Sequence, residues 1–234
     1  MNVRNQIICS WAAWAFALMS LIGLLLAGFI PPISPAASDA EVVAVYQQNT
    51  LSIRLGVLLV MTSGAFICAF AAAIASQMRR IEGETGPLTM TQLGGGCVSS
   101  LVLVFCGVFF TAAAFRPEQA PEMVRLMNDL GWIMLLMTFP PFIIQNISLG
   151  LCILSDSSDE PVYPRWVGYY NFWVAVLFIP GGLLTFFKTG PFAWDGLFVW
   201  WVPLLVFLSW YVLMPFLTIG AIRKQEPSGV PVTA

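Results

Sequence analysis

The chain has 234 residues, of which 59% are hydrophobic and 9% charged, with a formal net charge of −2 and no histidine; its mean hydropathy is +0.84. A water-soluble domain carries roughly a quarter of its residues charged, so this composition excludes a solvated globular surface. The 10 basic residues are scattered singly or in pairs and form no phosphate-tracking stripe, which excludes nucleic acid as a partner. Without histidine, the chain lacks the side chain on which haem, copper and diiron centres and general bases near neutral pH most depend.

Six intervals, 5–38, 55–78, 85–115, 130–155, 166–187 and 196–222, contain no Asp, Glu, Lys or Arg. A helix rises about 1.5 Å per residue, so about 20 residues cross the hydrocarbon of a bilayer, and each interval is long enough. Membrane strands alternate apolar and polar residues, whereas Leu101–Phe110 is apolar on every side. The expected fold is all-α: a polytopic bundle of six transmembrane helices forming a single integral membrane domain over residues 1–234.

The first span is expected over 7–30, ended by Pro31-Pro32 because proline has no N–H to donate. A signal peptide is the competing reading, but the apolar stretch exceeds a usual signal core of about 7–15 residues. In the loop that follows, Ser38-Asp39-Ala40-Glu41 reads as a helix N-cap with acids in the first turn. Val42, Val43, Val45 and Tyr46 would lay that short helix along the membrane surface. The second span, 51–77, places Gly64, Cys68, Ala72 and Ser76, and also Ala65, Ala69 and Ala73, four residues apart. Small residues let helix backbones approach closely in lipid, which puts this helix at the centre of the bundle.

Met78-Arg79-Arg80-Ile81-Glu82-Gly83 reads as a basic turn, followed by a third span over 93–115 that opens on the flexible Gly94-Gly95-Gly96. Between Arg116 and Asp129, Met123, Leu126 and Met127 suggest a short amphipathic helix. The fourth span, 130–154, is interrupted by Pro140-Pro141, and the fifth, 166–188, contains Pro180-Gly181-Gly182. The acidic segment between them, with Asp156, Asp159 and Glu160, is expected to pair with Arg79, Arg80 or Arg165. The sixth span covers 197–222 with Pro203 and Pro215, leaving a short flexible tail from 223 to 234.

Basic residues flanking the spans set orientation. With the N-terminus inside, the cytoplasmic segments carry Arg4, Arg79, Arg80, Arg165, Arg223 and Lys224, against Arg54, Arg116, Arg125 and Lys188 outside. Both termini are therefore expected in the cytoplasm, in a bacterial inner or plasma membrane.

Candidate ligand-binding residues fall into two groups. Arg54, Lys188, Trp194 and Asp195, joined by Arg116 and Asp129, would line an outward-facing mouth of mixed charge. Each also has a plainer role, since long basic side chains snorkel to headgroups. Gln145 and Asn146 bring amides to apolar depth just after Pro140-Pro141; broken helices expose backbone to substrates in transporters, but such amides also simply bond neighbouring helices. Tyr169, Tyr170 and Asn171 read as depth-setting residues at the inner end of the fifth span.

No catalytic residue, cofactor or metal site is expected. There is no phosphate-cradling glycine loop with Lys, no His-Glu-x-x-His and no Gly-x-Ser-x-Gly. Cys9, Cys68, Cys97, Cys106 and Cys152 form no Cys-x-x-Cys pair and read as packing residues. These features favour a non-enzymatic membrane subunit or scaffold that binds lipids and a protein partner or a second copy of itself. The alternative is binding or transport of a hydrophobic or amphipathic small molecule at the proline-broken fourth and fifth spans. An enzyme acting on a lipid-like substrate, using Asp129, Asp195 or Glu118, has the least support.

Overall fold

The structure, a computed structural model, describes residues 2–225. Residues 226–234, most of the expected tail, lie outside the described residues. The described chain is helical, with six helical stretches long and apolar enough to cross a membrane. Odd numbers of crossings would separate the termini; six return both to one end. There, Gln77 Nε2 donates to Gln6 Oε1, Gln225 Nε2 donates to Gln77 Oε1 at 2.8 Å, and Arg80 Nη1 reaches Gln77 Oε1 and Ala221 O, each at 2.9 Å. That end is called the terminal face below, and the other the distal face.

Helix α1 (Val3–Leu26) stops four residues before its expected end. Gly28 adopts φ +68°, a conformation that ends helices and that glycine alone takes without steric cost; Pro31-Pro32 follow a helix that has already stopped. Helix α2 (Asp39–Gln48) begins with a complete capping box between Ser38 and Glu41. Its apolar face does not lie on lipid. Val42, Val43 and Tyr46 are buried in the core, and α2 packs on α5 (Pro121–Met137). Five residues of α2 and α5 are stitched by the Asp39–Arg125 ion pair, by Tyr46 donating to Asn128 Oδ1 at 3.1 Å, and by Trp132 Nε1 donating to the same oxygen at 3.2 Å.

Helix α3 (Thr50–Glu82) absorbs the segment expected as a basic turn. Arg79 and Arg80 ride on its last turn, where cations complement the helix dipole, and Gly83 at φ +89° ends it. The real turn is short because α4 (Pro87–Phe115) starts earlier than expected. Pro87 occupies its first position, where no N–H is needed, and the Glu82 carboxylate accepts from Leu88 N at 3.1 Å and from Thr89 N at 2.9 Å. The three glycines therefore sit inside α4 rather than opening it.

α3 is the central helix, packed against α1, α2, α4, α6 and α8. The close approaches are not quite those of the two four-spaced series, since Ala65 and Ala72 are exposed. They are Gly23 against Gly56, Gly64 against Ser100 and Ala71 against Gly96. Ser100 Oγ reinforces the second by donating to Gly64 O at 2.7 Å.

The fourth crossing is two helices, α5 and α6 (Pro140–Ser155), joined at Thr138-Phe139. The amphipathic turn at Met123–Met127 runs straight into the crossing as the start of α5. In the fifth, α7 (Arg165–Phe178) gives way to a 3₁₀ segment, Ile179–Thr185, which ends before Lys188. The sixth opens with a π-helical turn, Leu197–Trp201, and continues as α8 (Val202–Arg223), with Pro215 inside it.

The acidic loop after α6 folds on itself. Asp156 accepts from Ser158 Oγ at 2.6 Å, Ser158 N at 3.1 Å and Val162 N at 2.8 Å, and it makes no ion pair with Arg79, Arg80 or Arg165 among the described residues. Short-range N–H donors reach this carboxylate before any arginine does. Burial pushes its pKa up, but the Ser158 hydroxyl, the Val162 and Ser158 N–H groups and the charge of Arg80 outweigh that and hold it below the usual value.

Candidate functional site: a cavity where three helix breaks meet

The breaks in the fourth, fifth and sixth crossings converge. Pro140 and Pro141 have no N–H to bond Leu136 O and Met137 O, the partners four residues back. Gly181 of the 3₁₀ segment lies against that freed backbone: a Cβ there would stand 3.3 Å from Leu136 O and 3.2 Å from the Phe139 ring. Gly182 supports the same ring, at 3.4 Å. A side chain at Gly181 would fit only if the Phe139 ring or the Leu136 carbonyl gave way by a few tenths of an ångström.

Beside this junction lies a cavity of about 160 Å³. Each break contributes to its wall: Thr138 and Phe139 from the first, Phe178 and Gly181 from the second, Val199, Trp200 and Pro203 from the third. Ser20, Leu21 and Leu24 of α1, Val60 of α3, and Ser99, Val102 and Leu103 of α4 add to the rest. Among the described residues, no charged one lines it.

Two aromatic clusters bound the cavity. Toward the terminal face, Phe142 stands 4.9 Å from Phe178 and 5.3 Å from Phe207 between ring centroids, and Phe16 stands 5.7 Å from Phe207. Toward the distal face, Trp200 meets Trp132 edge-on at 5.5 Å, and Trp132 in turn packs 5.1 Å from both Phe29 and Phe110. Edge-to-face and tilted arrangements of this kind are the favourable ones for aromatic quadrupoles.

α1 and α8 meet near their middles, where Trp14 Nε1 donates to Val212 O at 3.1 Å and Phe16 packs on Tyr211 at 4.5 Å. The same two helices present Leu21, Leu24, Leu204 and Leu208 to the cavity, all half-buried. The cavity therefore occupies the wedge between α1 and α8 in the distal half of the bundle.

None of the six residues singled out from sequence lines this cavity. Arg54 reaches across to α4, donating through Nε and Nη2 to Ala114 O at 3.0 and 2.9 Å and through Nη2 to Phe115 O at 3.0 Å. Its guanidinium serves carbonyls that a helix C-terminus leaves unpaired. Trp194 is buried, and its indole N–H donates to Ile33 O at 2.7 Å, tying the last distal loop to the first. Lys188 is exposed and Asp195 half-buried, with no ion pair for either among the described residues. Of the expected mouth, Arg54 and Trp194 thus hold backbone carbonyls of the chain.

Gln145 and Asn146 are fully buried on α6. Gln145 packs over Gly95 and Gly96 of α4, and Asn146 Nδ2 returns to Phe142 O at 2.8 Å. Gln145 Oε1 and Asn146 Oδ1 have no hydrogen-bond partner among the described residues; nor do either amide atom of Gln92, Tyr211 Oη or Trp200 Nε1. Asn171, by contrast, is fully used: it accepts from Trp210 Nε1 at 2.9 Å and donates to Val167 O at 2.7 Å.

Trp200 was not apparent as a site residue in the sequence. Its only signal is position, since it follows a turn rich in Gly and Pro and precedes Pro203 in the opening turn of the last span. No group of His, Cys, Asp and Glu that could hold a metal ion occurs among the described residues. Comparison of the chain with family models, curated proteins and solved structures finds no match in any of the three.

Proposed function

We propose that this membrane protein binds a small hydrophobic molecule in the cavity between α1 and α8. The convergence of three separate helix breaks on one uncharged, aromatic-bounded cavity carries this reading. Irregular backbone at membrane depth is costly unless it lines a cavity or is covered by protein, and π turns and proline breaks recur at functional sites. A molecule dissolved in the bilayer would reach the cavity sideways, past Leu21, Leu24, Leu204 and Leu208, without crossing water.

This reading is preferred to a subunit or scaffold because the closest small-residue approaches, unlike the exposed Ala65 and Ala72, are made within the chain. Gly23, Gly56, Gly64 and Gly96 all pack on the chain's own helices. We also place both termini in the cytoplasm of a bacterial plasma membrane, on the strength of the six-to-four distribution of basic residues.

Mass spectrometry after gentle extraction tests the binding reading. A defined hydrophobic molecule should accompany the wild-type chain and be depleted in Val102→Phe, whose ring would fill the cavity. Equal content in the wild type and Val102→Phe would refute it.

A further inference from the structure

α1 and α8 enclose a second hollow, on the terminal side of their meeting point. Ile7, Trp11 and Trp14 recur at helical spacing on α1, as do Val212, Phe216 and Gly220 on α8. The helices touch where Trp14 Nε1 donates to Val212 O and the Trp14 ring packs 4.5 Å from Phe216. From there to the terminal face they line a groove of about 660 Å³ that includes Arg223. Trp11 and Phe216 are 59% and 60% exposed, so the groove opens toward lipid. From Val212 to Arg223, α8 rises about 16 Å at about 1.5 Å per residue. That is close to half of the ~30 Å hydrocarbon layer, the depth of one leaflet.

Gly220 differs from the glycines at the helix contacts. An added Cβ on Gly23, Gly56, Gly64 or Gly96 would meet a neighbouring helix, whereas nothing lies within 4 Å of one on Gly220. Glycine within a helix is destabilising relative to alanine, and here no packing inside the chain requires it. What the missing side chain provides is depth in the groove. Two arginines mark the terminal end. Arg223 lines the groove, and Arg4 precedes Ile7 by three residues on the same face of α1. α1 starts at Val3 and α8 ends at Arg223, so the two arginines stand at one level. Both are exposed, and neither makes an ion pair among the described residues.

We infer that this groove seats a phospholipid of net negative charge, one acyl chain along Trp11, Phe216 and Gly220 and the phosphate between Arg4 and Arg223. An apolar channel of one leaflet's depth with cations at its interfacial end matches an amphiphile with a chain and an anionic head. Guanidinium groups bind phosphate through paired N–H donors. A zwitterionic lipid offers the same phosphate but carries its own cation toward two arginines, so net charge decides. A second copy seated here by two-fold symmetry would bring the same arginines against these. The site is separate from the distal cavity and does not depend on it.

Native mass spectrometry of the full chain released from detergent tests this, after titration with phosphatidylglycerol or phosphatidylcholine of identical acyl chains. The wild type should retain one phosphatidylglycerol in preference to phosphatidylcholine. Removing the charges in Arg4→Gln/Arg223→Gln should weaken phosphatidylglycerol about five-fold per arginine and leave phosphatidylcholine unchanged. Gly220→Leu, whose side chain would occupy the groove, should lose the lipid without a fall in melting temperature, and Gly220→Ala should keep it. Should Gly220→Leu fail to fold, the arginine variant, altered only at exposed side chains, decides.

Equal retention of the two lipids by the wild type, or undiminished phosphatidylglycerol in the arginine variant, overturns the proposal. So does undiminished phosphatidylglycerol in a folded Gly220→Leu chain, which would place the lipid elsewhere. A lipid-free dimer that Gly220→Leu dissociates would give the groove to a second copy and overturn it as well.

Discussion

Arg54 and Ala114 are joined by two hydrogen bonds from one guanidinium to one carbonyl, at 3.0 and 2.9 Å. This residue at the membrane boundary, expected from sequence at an outward-facing mouth, holds the last carbonyls of a neighbouring helix. Arg54→Leu should therefore lower thermal stability, by about 1–2 kcal/mol for charge-assisted bonds at a partly exposed site. Content of the bound molecule should not change. A loss of ligand at unaltered melting temperature would restore Arg54 to a binding role.

Gly23 and Gly56 bring α1 and α3 into backbone contact. A Cβ on Gly23 would stand 2.6 Å from Gly56 O and 2.8 Å from a Val60 methyl. Gly23→Ala should force the helices apart and cost about 1–3 kcal/mol, the range for overpacking a filled interior. Gly94→Ala is the control, since nothing lies within 4 Å of the added carbon. Equal thermal stabilities for the two variants, measured in the same detergent, would show that this approach is not needed.

Gln145→Met should be neutral or stabilising. Its Oε1 is buried without a partner among the described residues, and replacing an unsatisfied polar group by an apolar one of similar shape removes a desolvation cost. The side chain lies outside the cavity wall, so ligand content should persist. A drop in melting temperature together with ligand loss would show that the amide binds the molecule or a water that holds it.

Asp156 gives the fold a dependence on acid. Its carboxyl is held below the usual value in the folded chain, so its contribution is complete above the unfolded value, near 3.8. It is lost as pH falls through the lower, folded value. Melting curves between pH 3 and 7 should show a loss of stability at the acid end that Asp156→Asn largely abolishes, with the variant less stable than wild type at neutral pH. Parallel curves for the two proteins across that range would contradict this.

Reporter fusions after Gln225 and within the Thr189–Gly196 loop address orientation. An alkaline phosphatase fusion should be inactive at the first site and active at the second, because phosphatase folds only outside the cytoplasm. The reverse pattern would invert the chain in the membrane.

Six crossings were legible because lipid as solvent demands about 20 residues without charge, a requirement met or failed along the chain alone. The prolines at 140–141 and 180 showed equally plainly that the fourth and fifth crossings would break, since a missing N–H is a property of the residue itself. Helix limits were less legible: Arg79 and Arg80 looked like a turn, yet a helix C-terminus attracts such charges, and Gly83 supplied the stop.

What only tertiary structure decided is which side chains meet. Arg54 could satisfy headgroups, a ligand or a carbonyl, and the choice fell to the position of α4, sixty residues away in sequence. The cavity depended on three backbone breaks from different crossings surrounding one volume. Solvent preference is written residue by residue, whereas a cavity is a shortfall in packing among helices, and no single segment contains it.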